Sequence, residues 1–438
     1  MPAEQHYGLA LPSRKQLTRD CAISIAPVPD QLTLPLNQHG DELLTPCIAP
    51  GESVRMGQII ARPRHEYGAC IHAPVSGQVT ALTHCFSARP CNVATPCIVL
   101  HNDHQDTPAA TRTGMPDWSA LNSIDLCSHL ALGGIVCLGG AVFPVSTKVS
   151  AHVRQPIEQL IINGVECEPY ITCDDRLMRE RAEAIVQGVQ ILLHAAQAKQ
   201  ATIAVETDKP EALAALRDAL QVLNDARITT RSVAHAYPAG DEAQLVRQLC
   251  NREIPRGKLP AEIGVIVSNV ATVYACQQWI KQGKPLISRI VTVSGQGVSR
   301  PGNYETRIGT SMQFLLNHCG AENSSGSVLI MGGAMMGQAL THTDYPIIKA
   351  SNCLIQAAPS ELKPLVPEQP CIRCGECAHA CPVHLLPQQL LAHARIRNLT
   401  ALSELGLSDC IECGSCDYVC PSHIRLASRF HDAKQLNT

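Results

Sequence analysis

The chain has 438 residues, and at roughly 150 residues per domain that length implies about three domains, each large enough to bury a core. Lys and Arg number 35 against 38 Asp and Glu, a formal net charge of -3 with no basic stripe, which leaves nucleic acid out as a partner class. The longest apolar stretch, from Ile263 to Cys276, is interrupted by Ser268, Asn269 and Thr272 and falls short of the ~20 residues of a spanning helix, so the chain is expected not to cross a membrane.

The opening MPAEQHYGLALPSRKQLTRD lacks the charged-then-apolar pattern of an export signal. The 22 cysteines are therefore expected in a reducing compartment, where clustered thiols indicate metal rather than disulfides. Residues 1–105 run in short β-type pieces separated by Pro and Gly, and PGESVRMGQII with APVSGQV resembles the two halves of a lipoyl-type barrel-sandwich domain. No lysine lies between Lys15 and Lys148, so a swinging-arm role is excluded and a structural or docking module is expected. A polar linker is expected over 106–128.

From 129 to 285 the pattern alternates short β-branched runs with helical stretches, which predicts a Rossmann-like α/β domain with its ligand site at the carboxyl ends of parallel strands. The expected strands are Gln159 to Ile162, Thr202 to Glu206, Ile228 to Ala234 and Gly264 to Ser268. The expected helices are Leu177 to Ala198, Pro210 to Leu223, Asp241 to Asn251 and Thr272 to Gly283. Residues 286–340 read as a smaller α+β appendage with strands Arg289 to Ser294 and Val328 to Met331 and a helix Thr310 to Cys319. In it SGQGVSRPG lacks the third glycine of a dinucleotide fingerprint and is expected to be a hairpin. GGAMMG, at Gly332 to Gly337, is expected to be a packing turn. A linker is expected over 341–368, with a Pro-rich joint from Pro359 to Pro370, leading into the last segment, 369–438.

That segment carries two C-x2-C-x2-C-x3-C-P runs: Cys371, Cys374, Cys377 and Cys381, then Cys410, Cys413, Cys416 and Cys420. In two-cluster ferredoxins the fourth Cys of each run ligates the other cluster. One [4Fe-4S] centre is accordingly assigned to Cys371, Cys374, Cys377 and Cys420, and the other to Cys410, Cys413, Cys416 and Cys381. Zinc knuckles would need only two Cys pairs per metal and leave the repeated proline unexplained. The remaining cysteines follow no common ligand spacing and read as buried thiols, although Cys167 and Cys173 lie near acidic residues. The intervening sequence has helical periodicity, so a helical ferredoxin-like dicluster domain is expected. Iron-sulfur centres carry one electron at a time, so a flavin is needed beside them to split an electron pair. In LGGAVFPVSTK, Gly139 and Gly140 would let backbone N–H groups approach a phosphate or a flat ring, with Lys148 supplying a cation.

These segments together with LIINGVECEPYITCDDRLM, YPAGDEAQL, VSNVATVYA, RPGNYETRIGT and MGGAMMG resemble the RnfC family, components of an ion-translocating ferredoxin:NAD oxidoreductase complex, over nearly the whole chain. RnfC is in turn similar to the flavoprotein subunit of respiratory complex I, which implies an FMN- and NADH-binding α/β domain and a β-grasp-like appendage. By that resemblance Gly139, Gly140, Lys148, Asn163, Glu166, Asn269 and Thr272 match FMN-contacting positions, and Phe143, Glu168, Asp241 and Glu242 lie where the family meets NADH. Val142 stands where the family has Gly and is expected to crowd the flavin or the nicotinamide; Asp241 likewise replaces a common Gly. The family implies electron transfer from NADH through FMN to two [4Fe-4S] clusters. It also implies other Rnf subunits, membrane-embedded and ferredoxin-like, as partners, ferredoxin as an indirect one, and a peripheral position on the cytoplasmic face of the bacterial inner membrane. Two other readings remain: a flavin-free wiring and docking subunit, and a cobalamin-reductase-like flavo-iron-sulfur protein.

Overall fold

The computed structural model describes residues 8–39, 42–65, 68–89, 91–109, 114–322, 325–362 and 366–436. Residues 110–113 and 363–365, inside the two expected linkers, lie outside the described residues.

The central sheet is all parallel, in the order Ile228–Val233, Gln200–Glu206, Gln159–Gly164, Val265–Asn269. Its inner strands are largely apolar on both faces because both faces are covered, whereas the edge strand Ile228–Val233 exposes Thr229, Arg231 and Ser232. Leu160, Ile162, Ile203 and Ile266 pack in the main core with helices Ala182–Ala195 and Val270–Gln282, while Ile161, Ala204, Val265 and Val267 pack with Leu245 and Val246 of helix Glu242–Cys250. The expected helix over Leu177 to Ala198 is two helices, Cys173–Glu180 and Ala182–Ala195, which part at Arg181 where φ is -132°. The Glu166 carboxylate accepts the Asp174 and Asp175 N–H groups, so the first helix starts early, at Cys173.

Two antiparallel sheets build the N-terminal barrel: Gln31–Pro35, Cys91–Asn102, Gly77–Ala88 and Ser53–Val54 in one, Thr45–Pro46, Ile59–Arg62 and Ile71–His72 in the other. Its long hairpin, Gly77–Ala88 with Cys91–Asn102, has twelve residues in each strand and extends beyond the barrel core. The third sheet has six strands, in the order Ile23–Ile25, Gly302–Arg307, Ser288–Ser294, Cys353–Ala357, Val328–Met331, Gln338–Leu340. Ser288–Ser294 and Gly302–Arg307 form the expected hairpin. Two strands enter this sheet from outside the expected appendage: Ile23–Ile25 pairs at one edge, and Cys353–Ala357, from the expected linker, runs through its middle. Every residue of Cys353–Ala357 is buried, which a linker reading based on nearby prolines did not anticipate. The C-terminal helices pack Leu390, Leu402, Leu407, Ile424 and Phe430 into a separate small core. Among the described residues no helix is long and apolar enough to cross a membrane.

The Lys349 ammonium, 1 % exposed, joins three domains: it donates to the Cys70 carbonyl of the barrel at 2.8 Å and to the Gly134 carbonyl of the α/β domain at 2.7 Å. Burial pushes its pKa down to about 7. The folded chain thus prefers the neutral amine, so its stability rises with pH between about 7 and the ordinary lysine value near 10.4, where only the unfolded chain is still protonated. Lys349→Met leaves two buried carbonyls without a donor and should cost about 2 kcal/mol or more. In denaturant titrations the gap between wild type and variant should widen as pH rises from 7 to 10. A gap independent of pH would show that the amine is charged throughout.

Candidate functional site

The glycine segment folds as a closed loop, the Cys137 N–H donating to the Phe143 carbonyl at 2.8 Å and the Val142 N–H to the Cys137 carbonyl at 3.0 Å. Both polar groups of Leu138 are held from elsewhere. Thr272 Oγ1 accepts its N–H at 2.8 Å, and the Arg289 guanidinium donates to its carbonyl at 2.6 Å. Gly139 faces Asn269, whose Cβ would lie 3.2 Å from any Cβ added there, so a larger residue would have to push the asparagine aside. Gly140 has φ +105° and open space where a Cβ would stand. Val142 also adopts positive φ, 48°, unusual for a β-branched residue. Its side chain is only 3 % exposed and packs in the main core, so it does not present the expected obstruction to the open side of the loop. Phe143, in the same loop, is 45 % exposed.

The polar candidates converge on this loop from the carboxyl ends of the strands. Asn163 Nδ2 donates to the Gly240 carbonyl at 2.8 Å, and Asn269 Nδ2 donates to Asp174 at 2.6 Å while its Oδ1 caps helix Val270–Gln282. Glu166, held at φ 50°, sits beside Lys15, Asp174 and Lys209. Burial, opposed by Lys15 and reinforced by Asp174, pushes its carboxyl up to about 7. The Lys15 ammonium donates to the Glu166 carbonyl, and burial together with Lys209 lowers its pKa. Lys209 donates to Glu206 at 2.6 Å, Asp208 at 3.0 Å and the Val165 carbonyl at 2.8 Å. His235 completes this second cluster, 3.2 Å from Glu206. Lys15, Asp174, Lys209 and Arg289 were not singled out by the sequence. Only Asp174 lies in a quoted motif, and the other three reach the site from distant positions that carry no local signature.

Four of the expected ligand residues, Lys148, Glu168, Asp241 and Glu242, are engaged inside the protein. Lys148 pairs with Glu242 at 2.6 Å; burial works against its ammonium, but Glu242 outweighs that and raises its pKa. Asp241 caps helix Glu242–Cys250, accepting the Ala243 and Gln244 N–H groups at 3.1 Å each. Glu168 accepts the Met335 and Met336 N–H groups at 3.0 and 2.9 Å, and Gly333 packs so tightly on that carboxylate that a Cβ would lie 2.2 Å from it. GGAMMG is thus a packing turn, as its sequence predicts, with Glu168 as its clasp.

The two cysteine runs fold alike. Arg373 and Glu412, Gly375 and Gly414, and His384 and His423 share positive φ at matching places, and each run leads into a helix, Pro387–Arg395 or Leu426–Gln435. One cavity is lined by Cys371, Cys374, Cys377 and Cys420, and a second by Cys381, Cys410, Cys413 and Cys416. Each therefore gathers three thiols of one run and the fourth of the other, the arrangement that a cubane with four thiolate ligands needs. The second cavity abuts the α/β domain. Tyr237 Oη donates to the Cys413 carbonyl at 2.7 Å, Gln244 Nε2 donates to the Pro382 carbonyl at 2.9 Å, and Arg256 pairs with Asp409 at 2.7 Å. Two tetrathiol cavities fit two [4Fe-4S] clusters, and the open cradle at Gly140 beside exposed Phe143 fits a flat, phosphate-bearing cofactor.

Glu168→Ala should free the Met335 turn from the α/β domain. Losing two charge-assisted bonds at a partly buried site should cost about 2 to 3 kcal/mol of stability, read as a lower midpoint in chemical denaturation. An unchanged midpoint would show that the turn is held without the clasp.

Family comparisons divide the chain in the same order. Residues 3–105 match the RnfC barrel sandwich hybrid domain, 131–278 the Nuo51 FMN-binding domain, 290–339 the SLBB domain and 370–424 the 4Fe-4S dicluster domain. The chain is 39% identical over 388 residues to the RnfC protein of the ion-translocating oxidoreductase complex of Serratia proteamaculans, covering 89% of this chain and 54% of that protein. With its counterpart in Pseudomonas aeruginosa it shares 40% over 383 residues, 87% of this chain and 49% of the relative. With that of Rhodobacter capsulatus it shares 38% over 402 residues, 91% of this chain and 76% of the relative. The chain thus spans about half the length of the first two relatives and three quarters of the third. Among solved structures, an NAD+-reducing [NiFe]-hydrogenase in the H2-reduced state superposes with a TM-score of 0.51 at 18% identity, covering 74% of this chain and 63% of that one, a likeness of fold. The order of its four domains, together with this identity over most of its length, shows that the chain belongs to the RnfC family of the ion-translocating oxidoreductase complex.

Proposed function

We propose that the chain is the NADH-facing electron-transfer subunit of a membrane-bound Rnf complex, in which transfer between NADH and ferredoxin is coupled to ion translocation. The observation that carries this reading is the hydrogen-bonded contact between the segment 237–244 and the cavity of Cys381, Cys410, Cys413 and Cys416, which puts a cluster site directly against the domain that bears the glycine loop. FMN, when bound, would exchange the two electrons of a hydride for single electrons that the clusters can carry.

The chain's own residues would hold, orient and shield. Gly139 and Gly140 keep the loop low enough for a ring or phosphate to approach, Thr272 and Asn269 fix the loop against the sheet, and Phe143 offers its face to a planar base. Asn163 and Glu166 line the floor, and Glu166, titrating near neutral pH, can give or take a proton at the buried end of the site. Tyr237 locks the cavity that holds Cys413 to that floor. The other cavity, with exposed Cys371 and Cys374, lies on the outer side and would pass electrons to a partner protein. Attachment on the cytoplasmic face would come from membrane-embedded and ferredoxin-like Rnf subunits. The ion pair between Lys148 and Glu242 favours one rival, a flavin-free wiring subunit, because it occupies the cation assigned to the phosphate.

Anaerobic purification followed by metal and flavin analysis separates the two. The expected content is about eight iron and eight sulfide per chain, with FMN retained or taken up at micromolar concentration and bleached by NADH before the clusters are reduced. Iron without FMN uptake or NADH reduction would establish the wiring reading. Cys381→Ser should disturb the centre bearing Cys410, Cys413 and Cys416 in electron paramagnetic resonance. Selective loss of the other centre would overturn the crossed ligand assignment.

A further inference from the structure

The hairpins of the N-terminal barrel have no lysine to carry a prosthetic group, yet its long hairpin reaches the glycine loop. At the hairpin's end the Arg89 guanidinium donates to the Gly140 carbonyl. The backbone there is fixed. Ser87 and Ala88 are fully buried, Ser87 Oγ donates to the Arg89 carbonyl at 3.0 Å, and Ala88 belongs to the core of the six-stranded sheet together with Leu340 and Tyr345. Phe86 lies 6.2 Å from the His342 ring, which lies 6.2 Å from Tyr345, so a ladder of rings seats the strand on that domain. Arg89 is therefore placed over the loop by the six-stranded-sheet domain as well as by the barrel that bears it.

The charges around the loop give this placement its meaning. Lys148 is neutralised by Glu242, Lys209 by Glu206 and Asp208, and Lys15 lies between Glu166 and Lys209. Arg289 points inward to the Leu138 and Lys349 carbonyls. Arg89, by contrast, is exposed, and among the described residues it makes no ion pair; its guanidinium's one hydrogen bond is to the carbonyl of Gly140, a residue with open space where a Cβ would stand. A guanidinium carries five N–H donors in a planar fork, so the bond to Gly140 leaves donors for two oxygens of an anion.

We propose that Arg89 is a phosphate-binding residue of the nucleotide site, contributed by the barrel domain across the domain boundary. This rests on the reading of the glycine loop as a nucleotide site and assigns the cation that meets the phosphate. That group is the FMN 5'-phosphate or the pyrophosphate of the dinucleotide; both present anionic non-bridging oxygens to a guanidinium.

The test uses the full chain and equilibrium binding of three probes: FMN and riboflavin by flavin fluorescence, and ADP-ribose by calorimetry. Arg89→Gln keeps a donor for the Gly140 carbonyl and removes the charge, so it should weaken FMN or ADP-ribose by about tenfold or more. Riboflavin, without a phosphate, should bind the variant as it binds wild type. Loss confined to FMN places Arg89 at the flavin phosphate, and loss confined to ADP-ribose places it at the dinucleotide. Unchanged affinity of Arg89→Gln for both phosphate-bearing probes, with wild type binding them, overturns the assignment and leaves the nucleotide reading intact. Equal loss of riboflavin and FMN also overturns it, because Arg89 would then only staple the loop. A wild-type chain that binds none of the three overturns the nucleotide reading together with the role of Arg89.

Discussion

Three carbonyls in one short segment of the α/β domain are each satisfied by a basic side chain from outside that domain. Gly134 accepts from Lys349, Leu138 from Arg289 and Gly140 from Arg89. A loop that must expose its backbone to a ligand cannot spend those groups on a sheet or helix of its own, and buried carbonyls without donors are costly. Long basic side chains reaching in from the barrel and from the six-stranded sheet meet that need. The segment is consequently rigid only when all three domains are assembled around it.

A second group of buried charges fixes the floor beneath. Lys15 comes from the N-terminal segment, Glu166 follows a central strand, and Lys209 and Glu206 flank the end of the next. None could be buried alone, since an unpaired ion in the interior is far from water and uncompensated. Together they tie the N-terminal segment to the sheet before Ile23–Ile25 joins the edge of the six-stranded sheet. Glu166 also caps helix Cys173–Glu180, so one carboxylate serves the charge cluster, the helix start and the lining of the site. The same economy explains why Glu168, Asp241 and Glu242, candidates for ligand contact by their positions, also hold a turn, a helix and a lysine.

Much of this architecture was legible from local pattern. The four central strands fall where β-branched runs place them, helix Pro210–Leu223 has the expected bounds, and the cysteine spacing with its trailing prolines foretells two four-thiol cavities built with crossed ligands. Gly140 and Gly139 were recognisable because a glycine pair after an apolar run implies close approach of the backbone. What stayed hidden depends on pairing over long separations. Cys353–Ala357 looks like a linker beside prolines, and nothing in its own residues says that two distant strands will bury it. The start of helix Cys173–Glu180 likewise depends on a carboxylate outside the helix, that of Glu166.

The sequence by itself determined the kinds of chemistry present: eight thiols in two repeated runs, a glycine loop, carboxyl-end polar residues and no helix able to span a bilayer among the described residues. These follow from spacing along the chain, which local geometry converts directly into ligand sets and turns. Tertiary structure decided which charges are free. Lys148 and Arg89 are both cations near one loop, and only the folded arrangement of Glu242 on one side and the seated hairpin on the other makes the first an internal ion pair and leaves the second open. Charge type is written in the residue; whether it is compensated depends on what folding brings within a few ångströms, and that no local pattern records.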